Sequence, residues 1–207
     1  ANHRAAEILL IGVMPFLYGA ATRLPFIYFV IHLNRYFELD MLYIGFCVAM
    51  YQSARVLTSA LSTKMFRFSH LMGTTIGLAG FLTVLVSSNG SLFHFVGGTA
   101  AVGFSETMSS MQKYAKEMYE TETDPEKRNA KLKYQYGFVM FGVGFGFFVG
   151  GFVYQFYNIN GVALFGVIVE SLGLVALVLF FAVSPKKEKE DKSKTAAGLD
   201  AFDSTAH

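Results

Sequence analysis

Four ionisable residues lie within long apolar runs of this sequence: Arg23, Arg55, Glu106 and Glu170. A charged side chain at the centre of a bilayer costs about 2.5 to 3.5 kcal/mol on insertion scales, so it normally faces a cavity or a partner group. A guanidinium suits an anionic group of a solute, and a carboxyl such as Glu106 suits a cation or a proton. The alternative is structural: a buried pair, such as Arg23 with Glu106, that fixes the helix register.

The other residues that could do chemistry form no catalytic or metal-binding pattern. His32, His70 and His94 do not share the spacing of metal ligands, and no segment combines a nucleophile, a base and an acid. The sequence therefore predicts no metal, no other cofactor and no enzymatic activity. The single cysteine, Cys47, lies in an apolar segment, where it is expected to pack as a small side chain.

The elements that carry the charged residues are predicted to be membrane-spanning helices. Hydrophobic residues make up 53% of the 207-residue chain and charged residues only 15%, with a mean hydropathy of +0.42. Soluble domains have about 25% charged residues. The fold class is therefore predicted to be all-α and integral to a membrane, with six transmembrane helices. They are predicted at about 8–33, 41–62, 71–86, 92–111, 134–157 and 162–183.

Basic residues determine the predicted orientation of these helices. Fourteen of the 17 Lys and Arg residues lie at the N-terminus, in the turn 63–70, in the connection 113–133 or in the tail 186–207. Cytoplasmic loops carry an excess of Lys and Arg. Both termini, and the turn that contains Lys64 and Arg67, are therefore predicted to lie on the cytoplasmic side. The chain divides into a six-helix bundle at 1–185 and the charged tail.

Glycines are concentrated in the fifth predicted helix. Gly142, Gly146 and Gly150 recur at a spacing of four, which places them on one helix face, and Gly151 lies beside them. Small residues at this spacing allow two helices in a membrane to approach closely. We therefore predict that these glycines pack against another helix rather than bind a solute.

Several stretches of the sequence resemble motifs of the major facilitator superfamily, in the order found in the N-terminal half of such a transporter. The resemblance covers roughly residues 8–186. In the fifth helix, residues 142–151 are similar to the family motif gxxxGPxxGG, with Phe147 in place of the proline. The stretch 51–55 resembles the end of the family's second helix, and His94-x-x-Gly97-Gly98 falls where the family often has Arg-x-x-Gln-Gly.

The resemblance implies a 3+3 bundle in which helices 1, 2, 4 and 5 line a central cavity. A substrate or ion pathway there would contain Arg23, Gln52, Arg55, His94 and Glu106. Helix 6 is peripheral in that fold, which leaves two interpretations of Glu170: it faces lipid in its protonated form, because desolvation raises a carboxyl pKa, or it contacts a partner subunit. The partner contact is the favoured prediction.

The turn 63–70 departs from the family motif G-x-x-x-D-R-x-G-R-[KR]. It keeps positive charge through Lys64 and Arg67 but has neither the glycine nor the aspartate, and Arg67 takes the place of the aspartate. In the family this aspartate takes part in a charged latch between the two halves. The resemblance therefore implies ancestry among transporters more strongly than gating of the usual kind.

Two functions remain open from the sequence. The first is a transporter half that moves a small polar or anionic solute by alternating access; it requires a second six-helix half, a second copy, or a protein that continues beyond His207. The tail would then resemble the connection between the two halves. The second is a transporter-derived, non-transporting subunit with a structural or assembly role in a larger membrane complex. Both predict contact with a lipid bilayer, in a plasma or organellar membrane, and neither predicts nucleic acid.

Overall fold

A computed structural model of the chain describes residues 2–62, 66–105, 108–119 and 124–184. Within these ranges the chain is almost entirely helical and forms no strand, which confirms the prediction of an all-α protein. Three of the described helices are long and apolar enough to cross a membrane: Arg4–Arg35, Phe68–Ser87 and Pro125–Val183. The predicted tail, 186–207, lies outside the described residues.

The N-terminal helix changes its winding near each of its prolines. It consists of α1 (Asn2–Ile8), a π-helical turn (Leu9–Val13), α2 (Met14–Thr22), a second π-helical turn (Pro25–Phe29) and α3 (Val30–Arg35). Proline lacks a backbone N–H, and its ring crowds the carbonyl four residues earlier, which kinks or widens a helix. The whole of this helix, called the first span below, agrees with the predicted segment 8–33.

Four further helices follow: α4 (Met41–Ser62), α5 (Phe66–Ser87), α6 (Leu92–Gly103) and α7 (Met108–Met118). α4 has the predicted limits, and the Asp40 carboxylate caps it by accepting hydrogen bonds from two backbone N–H groups at 3.0 and 3.1 Å. The predicted segment 92–111 is not a single helix, because α6 ends at Gly103 and a tight turn follows. In that turn the Phe104 N–H donates to the carbonyl of Ala101.

The last helix, α8 (Pro125–Val183), folds back on itself at Asn158, whose φ of 54° and ψ of −152° are not helical. The rings of Phe145 and Phe165 lie only 6.4 Å apart. In a straight helix residues 20 positions apart would be separated by about 30 Å. The two arms of α8, 125–157 and 159–183, therefore form a hairpin at the turn that the sequence predicts.

The first arm of α8 runs in the same direction as the first span, and their backbones touch. A Cβ on Gly142 would lie 2.1 Å from the Phe16 carbonyl oxygen, and a Cβ on Gly146 would lie 2.3 Å from the Ala20 carbonyl oxygen. The absence of a side chain at these positions is what permits the contact. Gly142 and Gly146 thus lie directly against the backbone of the first span.

The other two glycines of that face meet side chains rather than backbone. A Cβ on Gly150 would lie 2.8 Å from the Leu24 side chain and 2.6 Å from the Tyr28 ring. A Cβ on Gly151 would lie 3.1 Å from the Tyr28 hydroxyl oxygen, which donates a hydrogen bond to the Phe147 carbonyl at 2.6 Å. Both glycines therefore make room for Tyr28.

The second arm of α8 packs antiparallel to α5. Gly166 accommodates the Phe81 ring, and further along, a Cβ on Gly173 would lie 3.6 Å from the Thr74 side chain. Phe81 also lies 6.1 Å from Phe29 of the first span, measured between ring centroids. Buried aromatic rings thus join the first span, α5 and the second arm into one core.

Candidate functional site

A cavity of about 400 Å³ lies between the first span, α4 and the first arm of α8. Three residues of the predicted pathway, Arg23, Gln52 and Arg55, line it together. The remaining lining combines hydroxyl-bearing and apolar side chains: Tyr18, Thr22, Val56, Ser59, Tyr136, Val139, Met140 and Val143. Residues from three separate parts of the sequence are therefore brought to one site.

A break in the first span places Arg23 at the cavity. Pro25 cannot donate a hydrogen bond to the Ala21 carbonyl, and the Arg23 N–H donates to that carbonyl instead. The next carbonyl, on Thr22, accepts a hydrogen bond from the Tyr51 hydroxyl of α4. These two bonds satisfy carbonyls at the break and hold Arg23 at the end of α2, facing α4.

Arg55 is held on α4 by its own neighbours. Its Nη1 donates to the Gln52 side-chain oxygen at 3.2 Å, and its guanidinium carbon lies 5.8 Å from the centroid of the Tyr51 ring. Residues three apart on a helix lie on one face, so Gln52 and Arg55 both reach the cavity. Ser59 extends the same face by one further turn.

The charge of the cavity is uniformly positive. Among the described residues that line it there are two arginines and no Asp or Glu. A guanidinium presents several N–H donors in a fixed fork that matches carboxylate and phosphate groups. The hydroxyls of Tyr18, Ser59 and Tyr136 and the Gln52 amide could also donate hydrogen bonds to an anion.

The cavity is open on one side. Val56, Tyr136 and Met140 of its lining are exposed, and Arg23, Gln52 and Arg55 are only half-buried. A half-buried arginine keeps part of its hydration and loses less free energy to desolvation than a fully enclosed one. The two arginines can therefore share a cavity without a carboxylate between them.

His94 and Glu170, the other predicted site residues that the structure describes, lie elsewhere. His94, at the start of α6, lines a separate groove with residues from the end of α5 and from the α5–α6 connection, among them Ser87 and Gly90. Glu170 is 7% exposed and lies inside the bundle, where it lines a small pocket together with Ser105. The structure thus places Glu170 away from the outer face that a partner contact requires, because the second arm turns this side toward α5 and α6.

Glu106 and Lys64 lie outside the described residues, as does the side chain of Arg67. Within the described part of the chain, no three His, Cys, Asp or Glu side chains are grouped so that they could hold a metal ion.

Sequence reasoning missed several residues of the cavity, above all Tyr18, Ser59 and Tyr136. For Ser59 a signal existed, since Gln52, Arg55 and Ser59 follow the spacing of one helix face within an apolar segment. No local signal distinguishes Tyr18 or Tyr136 from the other tyrosines at the ends and edges of apolar helices.

Comparison with known proteins agrees with this fold and composition. The sequence profile of the Major Facilitator Superfamily matches residues 11–204, nearly the whole chain. No curated protein matches the chain, and no solved structure does. Members of this family are transporters of the membrane, so the chain is an integral membrane protein of transporter type. It belongs to the Major Facilitator Superfamily.

Proposed function

We propose that this chain is a transporter half that moves a small anionic solute across a membrane by alternating access. The observation that carries the proposal is the convergence of Arg23 and Arg55 on one open cavity whose described lining contains no acidic residue. Membership of a transporter family supports the reaction type, and the charge of the cavity supports the class of solute.

In the proposed mode of binding, the two guanidiniums hold the anion from two helices. Arg23 approaches from the break in the first span, and Arg55 approaches from α4, where Gln52 orients it. A solute bound between them would link the first span to α4. Because each guanidinium makes charge-assisted hydrogen bonds, loss of either one is expected to weaken binding substantially.

Six spans in a 3+3 arrangement, with both termini on one side of the membrane, fit the helix directions, and the distribution of Lys and Arg supports the cytoplasmic side. The first span is parallel to the first arm of α8, and α5 is antiparallel to the second arm. These directions are the ones that six alternating crossings require. The open side of the cavity would then face a second six-helix half, supplied by another chain, a second copy or a continuation of this one.

The proposal is tested with the full chain reconstituted into proteoliposomes, with any copurifying partner retained. Uptake of labelled phosphate, sulfate and small carboxylates is compared with uptake of labelled sugars and cationic amines. We expect uptake of at least one anion, and a loss of roughly 10- to 100-fold in its apparent affinity in Arg23→Gln and Arg55→Gln. Arg35→Gln is the matched control, because Arg35 ends α3 and does not line the cavity.

Two results would overturn the proposal. Uptake that is unchanged in both cavity variants would remove the site. A folded protein that takes up no solute but purifies tightly with other membrane subunits would favour the non-transporting alternative, which the divergent turn 63–70 supports.

A further inference from the structure

The polar and the apolar lining of the open cavity come from different helices. Apart from Val56, every described residue that the first span and α4 contribute has a polar side chain: both arginines, Gln52 and three hydroxyl-bearing residues. The first arm of α8 contributes the apolar residues Val139, Met140 and Val143, called the apolar wall below. A ligand in the cavity therefore meets positive charge on one side and hydrocarbon on the other.

The apolar wall is one continuous face of its helix. Together with Tyr136, its residues follow the spacing i, i+3, i+4 and i+7, which places all four side chains on the same side of the first arm. Tyr136 adds an aromatic ring to one end of this face. Among the described lining residues, the first arm contributes no charged side chain. The face is therefore suited to contact with the carbon atoms of a ligand.

Close contact between two backbones holds the apolar wall at a fixed position relative to Arg23. A Cβ on Gly19 of the first span would lie 2.1 Å from the Val139 carbonyl oxygen and 3.0 Å from the Val143 backbone nitrogen. Gly19 precedes Arg23 by four residues, or about 6 Å along a helix. A ligand whose anionic group lies at Arg23 therefore reaches the apolar wall through a body of several carbon atoms.

An inorganic anion would use only the polar side of this cavity. The cavity measures about 400 Å³, whereas one water molecule in the liquid occupies about 30 Å³. Phosphate or sulfate at the guanidiniums would leave the apolar wall in contact with water. Covering apolar surface stabilises a complex in proportion to the area removed from water. A ligand with an apolar body therefore gains affinity that an inorganic anion does not.

The same wall disfavours a second charged group on the ligand. A charge that is taken out of water without a partner is costly, and Val139, Met140 and Val143 offer neither a hydrogen-bond donor nor a positive charge from their side chains. The far end of the ligand is therefore expected to be uncharged.

We propose that the solute bound in this cavity is a monocarboxylate with an aliphatic or aromatic body of several carbon atoms. Its carboxylate lies between Arg23 and Arg55, and its body lies against the apolar wall. This inference rests on the proposed function and narrows the solute from anions in general to amphiphilic organic anions.

The experiment measures binding and requires no transport. The purified full chain, with any copurifying partner retained, is placed in lipid nanodiscs, and Kd is measured by isothermal titration calorimetry for acetate, butyrate and hexanoate at pH 7. Empty nanodiscs are titrated in parallel to subtract partition into lipid. Each buried CH₂ group is expected to lower Kd about fourfold. Phosphate and adipate, which has the length of hexanoate and a second carboxylate, are each expected to bind at least about 10-fold more weakly than hexanoate.

Variants separate the two ends of the ligand. Val143→Thr preserves the shape of the side chain and adds a hydroxyl, so hexanoate should bind about 3- to 10-fold more weakly while acetate is unaffected. Arg23→Gln should weaken all three monocarboxylates by the same factor, because they share the carboxylate. The matched control is Val178→Thr, at an exposed valine of the second arm that does not line the cavity. Should Val143→Thr not fold, Met140→Gln, at an exposed side chain, replaces it.

The outcomes distinguish this inference from the proposed function. A Kd that does not fall with chain length, or phosphate or adipate that binds as tightly as hexanoate, overturns the monocarboxylate and leaves anion transport standing. An equal effect of chain length in the wild type and in the folded wall variant also overturns it, since the apolar wall would then not be the source. Binding that follows the predicted series without uptake of any anion in proteoliposomes overturns only the proposed function. Absence of binding of all three monocarboxylates overturns the inference.

Discussion

The cavity lined by Arg23 and Arg55 (the arginine cavity) and the small pocket around Glu170 (the recess) lie on two sides of Tyr18, which lines both. They accommodate charge in opposite ways. The cavity measures about 400 Å³ and has an open side, whereas the recess measures about 20 Å³ and is enclosed. The arginines are half-buried, and Glu170 is only 7% exposed. Open access lets like charges share a space because water and an incoming anion can screen them, whereas enclosure requires each charge to be neutralised at once.

The two regions differ because their helices pack differently. Beside the cavity, Gly142 and Gly146 bring the first arm of α8 onto the backbone of the first span. Between α5 and the second arm of α8, side chains interlock, with Phe81 over Gly166 and Glu170 over Gly77. Backbone contact leaves one side of the helix pair free to form a cavity wall, whereas interlocked side chains close the space between helices.

The largest effect is expected from Gly146→Leu, which would force the first arm of α8 away from the first span. These two helices form part of the wall of the arginine cavity. The new Cβ would lie 2.3 Å from the Ala20 carbonyl oxygen, a backbone atom that cannot move aside without shifting the first span. We expect a loss of more than about 3 kcal/mol of stability, seen as loss of the monodisperse peak in size-exclusion chromatography. The control is Gly144→Leu, because a Cβ on Gly144 meets nothing within 4 Å. A Gly146→Leu protein as stable as the control would contradict the backbone contact.

An intermediate effect is expected from Gly77→Ala, which fills the enclosed region. The added methyl group would press on Ser105 and on the Glu170 carboxyl. Overpacking costs about 1 to 3 kcal/mol, and the gain in helix propensity recovers up to about 1 kcal/mol. We expect a net loss of about 1 to 2 kcal/mol, measured as a lower Tm.

The matched control for Gly77→Ala is Gly97→Ala on α6. A Cβ on Gly97 would meet nothing within 4 Å, so only the gain in helix propensity applies. A Tm that is equal in the two variants would show that the recess has spare room, and the contrast between the two regions would fail.

The smallest effect is expected from Tyr51→Phe, which removes one hydrogen bond near the arginine cavity. The Tyr51 hydroxyl donates to the Thr22 carbonyl next to Arg23. A hydrogen bond of this kind contributes about 1 kcal/mol. We expect a small fall in Tm and a fall of a few fold in anion affinity, because the break that orients Arg23 becomes looser. Tyr43→Phe, at an exposed tyrosine of the same helix, should change neither quantity.

Much of the fold could be predicted because its signals are local. The limits of α4 follow from an apolar run between Asp40, a good helix cap, and the polar turn after Ser62. The reversal in α8 follows from Asn158, Asn160 and Gly161, residue types that favour turns. The division between α6 and α7 could not be predicted in the same way, because the stretch from Val102 to Glu106 contains no proline and no turn dipeptide such as Asn-Gly.

The candidate site was predicted in part. Arg23 and Arg55 stood out because a charge within an apolar run is costly, and Gln52 was identified through its family motif. His94 belonged to the same argument, yet it lines a different groove near the Ser91 cap of α6. A motif specifies where a residue lies along a helix, and the direction of its side chain depends on how that helix is rotated against its neighbours.

Glu170 shows most clearly what the sequence by itself determined and what only the tertiary structure decided. The sequence determined the helical membrane class, the positions of the apolar segments and the presence of a carboxyl within the last one. Only the tertiary structure decided that this carboxyl points inward, against Ser105 and Gly77, rather than outward to a partner. The physical reason is that lipid is as apolar as the interior of the bundle. The apolar pattern of such a helix therefore shows only that it lies in an apolar environment, either lipid or protein. Its packing determines which side faces the protein.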